Sequence, residues 1–267
     1  EIASCLVGSE MCIRDRNRLE QPLITLDIFR FPAFRAGALG AALSMFALAG
    51  LQYVITQKLQ LADGLSPLHS GVFVTFAALG ALFTSIYAGA RLTRFGIRRL
   101  IAGGFGVATI GAAMVCLYGY LDSTPLLLSG LFIKGMGLGA VMAVASIAMI
   151  SGVPSHRAGM ASSVEEVSYE FGSLTSIAIL GSLVTAFYSA LITLPDGAPV
   201  EAQESLHSAV HIAHSSDASW AEPLLTAADT AYSHAFAMIT ALVVVVLAAG
   251  CLYTARILRG VTVELQD

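Results

Sequence analysis

The sequence predicts an all-α integral membrane protein, built as a bundle of six transmembrane helices with an external helical hairpin. Of its 267 residues, 56% are hydrophobic and only 12% are charged, and the mean hydropathy is +0.77. Soluble domains carry about 25% charged residues. The charges are also clustered, and the windows between clusters reach the roughly 20 residues that a helix needs to cross a bilayer.

Six such windows follow one another along the chain. Apart from charges at their ends, they contain only Lys134 in the fourth window and three glutamates in the fifth. The windows predict transmembrane helices over residues 34–57, 70–90, 98–120, 125–150, 155–193 and 233–256.

The charged residues between the windows predict the orientation. One side of the membrane receives nine arginines, namely Arg30, Arg35, Arg91, Arg94, Arg98, Arg99, Arg157, Arg256 and Arg259. The other side receives only Lys58. Because cytoplasmic loops are enriched in Lys and Arg, both chain ends are predicted to be cytoplasmic. The bacterial plasma membrane is the expected location.

The segments outside the membrane divide the chain further. Residues 1–16 resemble translated sequencing-adapter read-through rather than a signal peptide, whose basic residues precede its apolar stretch. The first residue is not Met, so we expect a truncated chain. Residues 17–33 form a cytoplasmic lead-in, and helices one to five fill residues 34–193. An external segment, 194–232, precedes the last helix (233–257) and the cytoplasmic tail (258–267).

The external segment has helical spacing in two stretches, Pro199–His214 and Ser219–Thr230, which predicts the hairpin. His207, His211 and His214 share this segment. Three histidines at that spacing could bind Zn²⁺, but a solvated helix face is the favoured interpretation. We expect no metal and no cofactor.

Three carboxylates in the fifth helix are the candidate functional residues. Glu166 and Glu170 are four residues apart and therefore lie on one helix face, whereas Glu165 points about 100° away. Gly159, Ser162, Ser163, Tyr169 and Ser173 extend the face of Glu166 and Glu170 into a polar stripe. A helix that begins at Ser155 would place Glu166 roughly 16 Å along its axis, near the middle of the bilayer.

Ionisable residues in a membrane span are costly and usually functional. Desolvation and neighbouring like charges both favour the protonated form of a carboxylate. A carboxylate that alternates between neutral and anionic can exchange a proton for a cation. The competing interpretation is a structural glutamate satisfied by hydroxyl groups or by Lys134.

Two features of the fourth helix have alternative explanations. Lys134 either pairs with a glutamate of the fifth helix, which would favour the ionised carboxylate, or extends its charge outward along its aliphatic stem. Residues Gly135–Ala140 nominally match a dinucleotide-binding fingerprint, which requires a preceding strand. Within a spanning helix, close helix packing through small residues is the better explanation.

Two stretches resemble a known family. The run Pro154–Gly172 (PSHRAGMASSVEEVSYEFG) is similar to the corresponding helix of major facilitator superfamily transporters, in particular the fourteen-helix drug:proton antiporters that export quaternary ammonium and other lipophilic cations. The stretch Gly89–Arg99 resembles the superfamily's cytoplasmic loop motif, Gly-x-x-x-Asp-Arg-x-Gly-x-Arg-Arg. Gly89, Arg94, Gly96, Arg98 and Arg99 match, but Thr93 stands where the motif has Asp.

The resemblance implies the C-terminal half of such a transporter, coupled to protons, without its N-terminal helix bundle. It assigns proton coupling and cation recognition to Glu165, Glu166 and Glu170. The lipid bilayer, a small lipophilic cation and the other helix bundle are the expected partners. An acidic chain with no basic face is not expected to bind nucleic acid. An enzyme is not expected, because no activated serine with a membrane histidine is apparent. An exporter of another metabolite and a non-transporting membrane scaffold are the alternatives.

The predicted orientation can be measured by cysteine accessibility. A single cysteine at Thr93 should react only with a membrane-permeant maleimide in intact cells, and one at Ser215 should react with an impermeant maleimide. Labelling of position 93 by the impermeant reagent would reverse the orientation.

Overall fold

The computed structural model describes residues 26–154, 157–216 and 218–259, and these contain helices and no β-strand. The predictions for residues 1–16 and for most of the lead-in lie outside them. Five helices within these described ranges are long and apolar enough to cross a membrane. The α-helices are α1 (Pro32–Gln57), α2 (Pro67–Leu121), α3 (Thr124–Ser151), α4 (Ala158–Leu191), α5 (Leu206–His214) and α6 (Ala221–Ile257).

Helix α2, with 55 residues, contains a break at Gly96. Gly96 has φ 75° and ψ 154°, which is a non-helical conformation that glycine adopts without steric cost. The sequence predicted two helices joined by a cytoplasmic loop at 91–99. The structure replaces that loop with a single non-helical residue, because glycine alone can accommodate the change of direction.

Contacts with α3 show that the chain reverses at Gly96. In the first segment of α2 (67–95), Ala77 contacts Gly135 and Ala81 contacts Gly139, so this segment runs parallel to α3. In the second segment (97–121), Gly104 contacts Gly137 while the later Gly111 contacts Lys134, so it runs antiparallel. The two segments are therefore separate membrane crossings, and the described residues form six.

The remaining helices also alternate in direction. Ala42 of α1 contacts Gly172 of α4, and Gly50 contacts Leu180, so these two helices are parallel. In α6, Tyr232 bonds the Val54 carbonyl whereas Gly250 contacts Leu43, so α6 is antiparallel to α1. The start of α1 and the end of α6 consequently lie at the same end of the bundle. This end is the one predicted to be cytoplasmic, and we call it the arginine end; the other is the outer end.

Small residues allow the helices around α3 to approach backbone to backbone. A side-chain carbon on Gly135 would collide with the Ala77 backbone, and one on Gly137 would collide with the backbone of Ala108. Close packing through the Gly135–Ala140 stretch is therefore confirmed. Its two faces contact the two segments of α2.

The external segment differs from the sequence prediction. Its first stretch forms a 3₁₀ turn at Val200–Gln203 and the short helix α5, capped by the Ser205 hydroxyl, which accepts from the Ser208 N–H at 3.2 Å. The second stretch does not form a separate helix of a hairpin. It forms the first turns of α6, which begins at Ala221 and not at the predicted position 233. The helix is continuous to Ile257, so it is longer than the predicted span over 233–256.

The α1–α4 contact gives a test of packing. Gly172→Val should lower the free energy of unfolding by ~1–3 kcal/mol, because the added side chain meets the Ala42 carbonyl. Gly159→Val, on the same helix, is the control, because nothing lies within 4 Å of its added carbon. The midpoint of thermal unfolding in detergent measures both. Equal losses would show that helix propensity and not the contact decides.

Candidate functional site

The three glutamates lie near the arginine end of α4. The helix begins at Ala158 and has 34 residues, so Glu166 lies about 12 Å from its start at 1.5 Å per residue. The sequence predicted about 16 Å, near the bilayer centre. The distance along the helix is shorter because the prediction counted residues before Ala158, and the depth of Glu166 in the bilayer stays a prediction. Glu165 and Glu166 lie in the third of α4 nearest the arginine end, and Glu170 lies just beyond it.

One row of side chains on α4 packs against the bundle, and Glu165 belongs to it. Its neighbours at helical spacing include Ala161, Gly172, Ser176 and Leu180, all buried. Glu165 is 9% exposed, and Tyr169, one turn on, lies beside its carboxylate. As predicted, Glu165 points away from the other two glutamates. Of the three glutamates, Glu165 therefore has the closest contact with the bundle.

Glu166 and Glu170 point away from that packed row, and both are exposed. Gly159, Ser162 and Ser163 of the predicted stripe are also exposed, while Tyr169 and Ser173 are partly buried. Helix α4 is the least buried of the five membrane-length helices. Nothing in the described part of the chain covers the two carboxylates.

A groove of ≈ 490 Å³ opens between α1, the first segment of α2 and α3. Its lining is almost entirely apolar, and Gln52 and Ser85 supply the polar side chains. The lining residues are Leu48, Gln52, Val74, Ala77, Ala78, Ala81, Leu82, Ser85, Gly139, Met142 and Ala143.

The structure does not bring the glutamates into this groove. Helix α4 contributes none of the lining residues. Glu170 precedes Gly172, which packs against Ala42 of α1, whereas the α1 residues that line the groove are Leu48 and Gln52. These lie about 9 and 15 Å further toward the outer end, at 1.5 Å per residue.

Lys134 fits neither of the two predicted arrangements. It is 1% exposed, so its stem does not carry the charge to the surface. No carboxylate of the described residues lies within 4.0 Å of its ammonium group. Its backbone packs against Gly111. Lys134 therefore lies where α3 contacts the second segment of α2, and not against α4.

The cytoplasmic loop motif surrounds the break in α2. Gly96 supplies the break, and the Arg98 Nε donates to the Ala255 carbonyl at 3.0 Å near the end of α6. The Arg94 guanidinium lies 5.8 Å from the Phe95 ring centre, and both Gly89 and Arg99 follow the helical path. Arg98 thus satisfies a carbonyl at a helix C-terminus, where cations are favourable. This contact does not require the Asp that Thr93 replaces.

Sequence reasoning missed a charged network at the outer end. Lys58, interpreted as an isolated loop charge, is 2% exposed, and its ammonium group lies 3.1 Å from Asp63, 3.9 Å from Asp229 and 4.0 Å from Asp122. Asp63 and Asp122 lie six and two residues after the ends of predicted spans, at 57 and 120. Single-span counting does not reveal that these ends meet.

The three histidines of the external segment are exposed on α5. Among the residues that the structure describes, no group of three or more His, Cys, Asp or Glu side chains has the geometry of a metal site.

Comparison with known proteins supplies the family. Residues 13–177 match the model of the Major Facilitator Superfamily. The chain is 28% identical over 236 residues to the multidrug efflux pump LfrA of Mycolicibacterium smegmatis, covering 87% of this chain and 47% of that protein. It is 27% identical over 237 residues to the methyl viologen resistance protein SmvA of Salmonella typhimurium, covering 86% and 48%.

A third relative, the multidrug resistance protein Stp of Mycobacterium tuberculosis, is 27% identical over 186 residues, or 70% of this chain and 34% of that protein. The chain spans about half the length of the first two relatives. The family and these relatives indicate a transporter and not an enzyme. With its six crossings and this match, the chain is a multi-pass membrane protein that belongs to the Major Facilitator Superfamily.

Proposed function

We propose that this chain is the C-terminal half of a proton-coupled exporter of lipophilic cations, including quaternary ammonium compounds, in the bacterial plasma membrane. The observation that carries the proposal is the pair Glu166 and Glu170, which lies uncovered on a membrane-length helix. A carboxylate facing lipid would be costly, so this face is expected to border a water-filled cavity or a second helix bundle.

The spacing of the pair supports exchange of a proton for a cation. The two side chains are one helical turn apart on the same face, so two negative charges there would repel each other. A proton on one of them relieves this repulsion, and a cationic substrate relieves it equally. Binding of one is therefore expected to displace the other.

The groove supports a lipophilic substrate. Major facilitator transporters bind substrate near the midplane between two helix bundles, and the groove lies beside the midpoint of α3. Its apolar lining suits an aromatic or alkyl body. The carboxylates, which lie toward the arginine end, would then meet the substrate's charge or act before it reaches the groove.

The names of the relatives point to the same chemistry. They describe multidrug efflux and resistance to methyl viologen, and methyl viologen is an aromatic quaternary cation. An exporter of another metabolite remains the second candidate, because no carboxylate lines the groove itself. A non-transporting scaffold would explain the fold but would give Glu166 and Glu170 no role.

A single helix bundle should not transport. Residues 17–267 alone should insert and fold in a bacterial membrane, because their six crossings pack against one another. They should confer no resistance to methyl viologen, since half of the cavity is absent. Growth at increasing methyl viologen concentrations, compared with an empty vector, measures this. Resistance from this chain alone would contradict the prediction or indicate a homodimer.

Glu166→Gln tests proton coupling in the full-length transporter. The substitution keeps the side-chain shape and removes the charge, so the protein should fold normally. Proton release on addition of methyl viologen to the purified protein should fall to background, and efflux should lose its pH dependence. Glu170→Gln should do the same or change which cations are accepted. Glu165→Gln should have the smaller effect on release, because its side chain faces the bundle.

Glu201→Gln is the matched control, because Glu201 is exposed on the external segment. It should leave proton release unchanged. Release by Glu166→Gln equal to that of the parent protein would exclude a coupling role for Glu166. Lower thermal stability with intact release per folded molecule would indicate a structural glutamate instead.

A further inference from the structure

The outer end of α1 does not finish as an ordinary α-helix. After Gln57 the chain forms a five-residue π-helical turn, Lys58–Ala62, closed by the Asp63 N–H donating to the Lys58 carbonyl at 3.0 Å. Turns of this kind are rare and occur often at functional sites. In an α-helix, residues five apart point about 140° away from each other. The wider turn instead brings the Lys58 and Asp63 side chains together at 3.1 Å.

Lys58 connects three parts of the bundle through this turn. Its ammonium group donates to Asp63 Oδ1 and to Ser233 Oγ of α6, both at 3.1 Å. The ring centre of Tyr118, near the end of α2, lies 5.5 Å away, and the Tyr118 hydroxyl donates to Asp63 Oδ2 at 2.8 Å. One buried cation thus joins the outer ends of α1, α2 and α6.

The cation is outnumbered by acidic groups. Asp229 of α6 and Asp122 after α2 lie 3.9 and 4.0 Å from the same ammonium group. Without Lys58, three carboxylates on three separate elements would repel one another. The network therefore depends on this single side chain, whereas loss of either distant aspartate would leave the pair with Asp63 intact.

We propose that Lys58 is a charge latch that holds the outer end of α1 against α2 and α6, and that release of this latch opens the groove toward the outside. The inference rests on the proposed function in one respect, that the groove is the path of the substrate. Gln52 lines the groove and precedes Lys58 by about 9 Å along α1. A displacement of the latched end therefore moves one wall of the groove.

The position of the α1 end can be measured without substrate. Spin labels at Gln60→Cys in the π-helical turn and Thr226→Cys on α6 report their separation by double electron–electron resonance. The chain would be reconstituted in lipid nanodiscs with its four native cysteines replaced by serine. In the Lys58→Met variant the mean separation should increase by about 5 Å or more, one helical pitch, or the distribution should broaden markedly.

Two variants separate a latch from general packing. Lys58→Arg keeps the charge and should give the parent distribution. Lys134→Met makes the same change at the other buried lysine of the bundle, away from the network, and should also leave the separation unchanged. A Lys58→Met distribution that matches the parent would overturn the latch. An equal change in Lys134→Met would overturn it too.

If Lys58→Met does not fold, Asp63→Ala takes its place, because it removes both the 3.1 Å pair and the acceptor of Tyr118. It should shift the separation in the same direction, and an unchanged separation would again exclude the latch.

Groove opening is measured separately, by the reaction of Gln52→Cys with an impermeant maleimide. This reaction should accelerate several-fold when Lys58 is changed. An unchanged rate would overturn the link to the groove. Neither readout involves Glu166, so failure of proton coupling and failure of the latch are distinguishable.

Discussion

The close approach of helix backbones around α3 is the constraint on which the rest of this bundle depends. In a bilayer no hydrophobic force drives helices together, so van der Waals contact between closely packed helices must hold them. Gly135 and Gly139 admit the first segment of α2, and Gly137 admits the second. A larger side chain at any of these positions would separate two membrane crossings.

This packing also determines where the groove lies. Because α3 occupies the space between the two segments of α2, one of its faces is left to form a wall with α1 and the first segment. Gly139 and Ala143 have little or no side chain, so they leave space in the groove, and the flexible side chain of Met142 gives that wall an adaptable surface. The groove is thus a consequence of small residues whose first role is helix contact.

Much of the architecture could be predicted from the sequence, because a membrane span has a strong composition signal. Uncharged windows gave the crossings, and the Gly135–Ala140 stretch was correctly interpreted as a packing motif. The break at Gly96 was not predicted in its true form, because arginines around it indicated a loop. The extension of α6 to Ala221 was missed because polar residues in residues 221–232 end the hydropathy signal without ending the helix.

The candidate site was harder to predict, since periodicity gives the relative angle of two side chains but not which angle faces the bundle. Spacing separated Glu165 from Glu166 and Glu170. Only the contact of Gly172 with Ala42 shows that Glu165 belongs to the packed row. The Lys58 network was beyond sequence reasoning for a similar reason. Asp63, Asp122 and Asp229 are distant in the sequence, and the π-helical turn that aligns Lys58 with Asp63 has no clear sequence signature.

Two groups of charges in the bundle differ in how they are satisfied. At the outer end, Lys58 is surrounded by acceptors from three elements, and removal of its charge would leave the partly buried Asp63 carboxylate without its cation. Near the arginine end, Glu166 and Glu170 face away from every described helix. The first group is neutralised within the bundle and therefore serves its structure. The second group lies on an uncovered face and is not needed for that purpose. The second group is then available to bind the proton or the cationic substrate of the proposed function, which is the property that a coupling site requires.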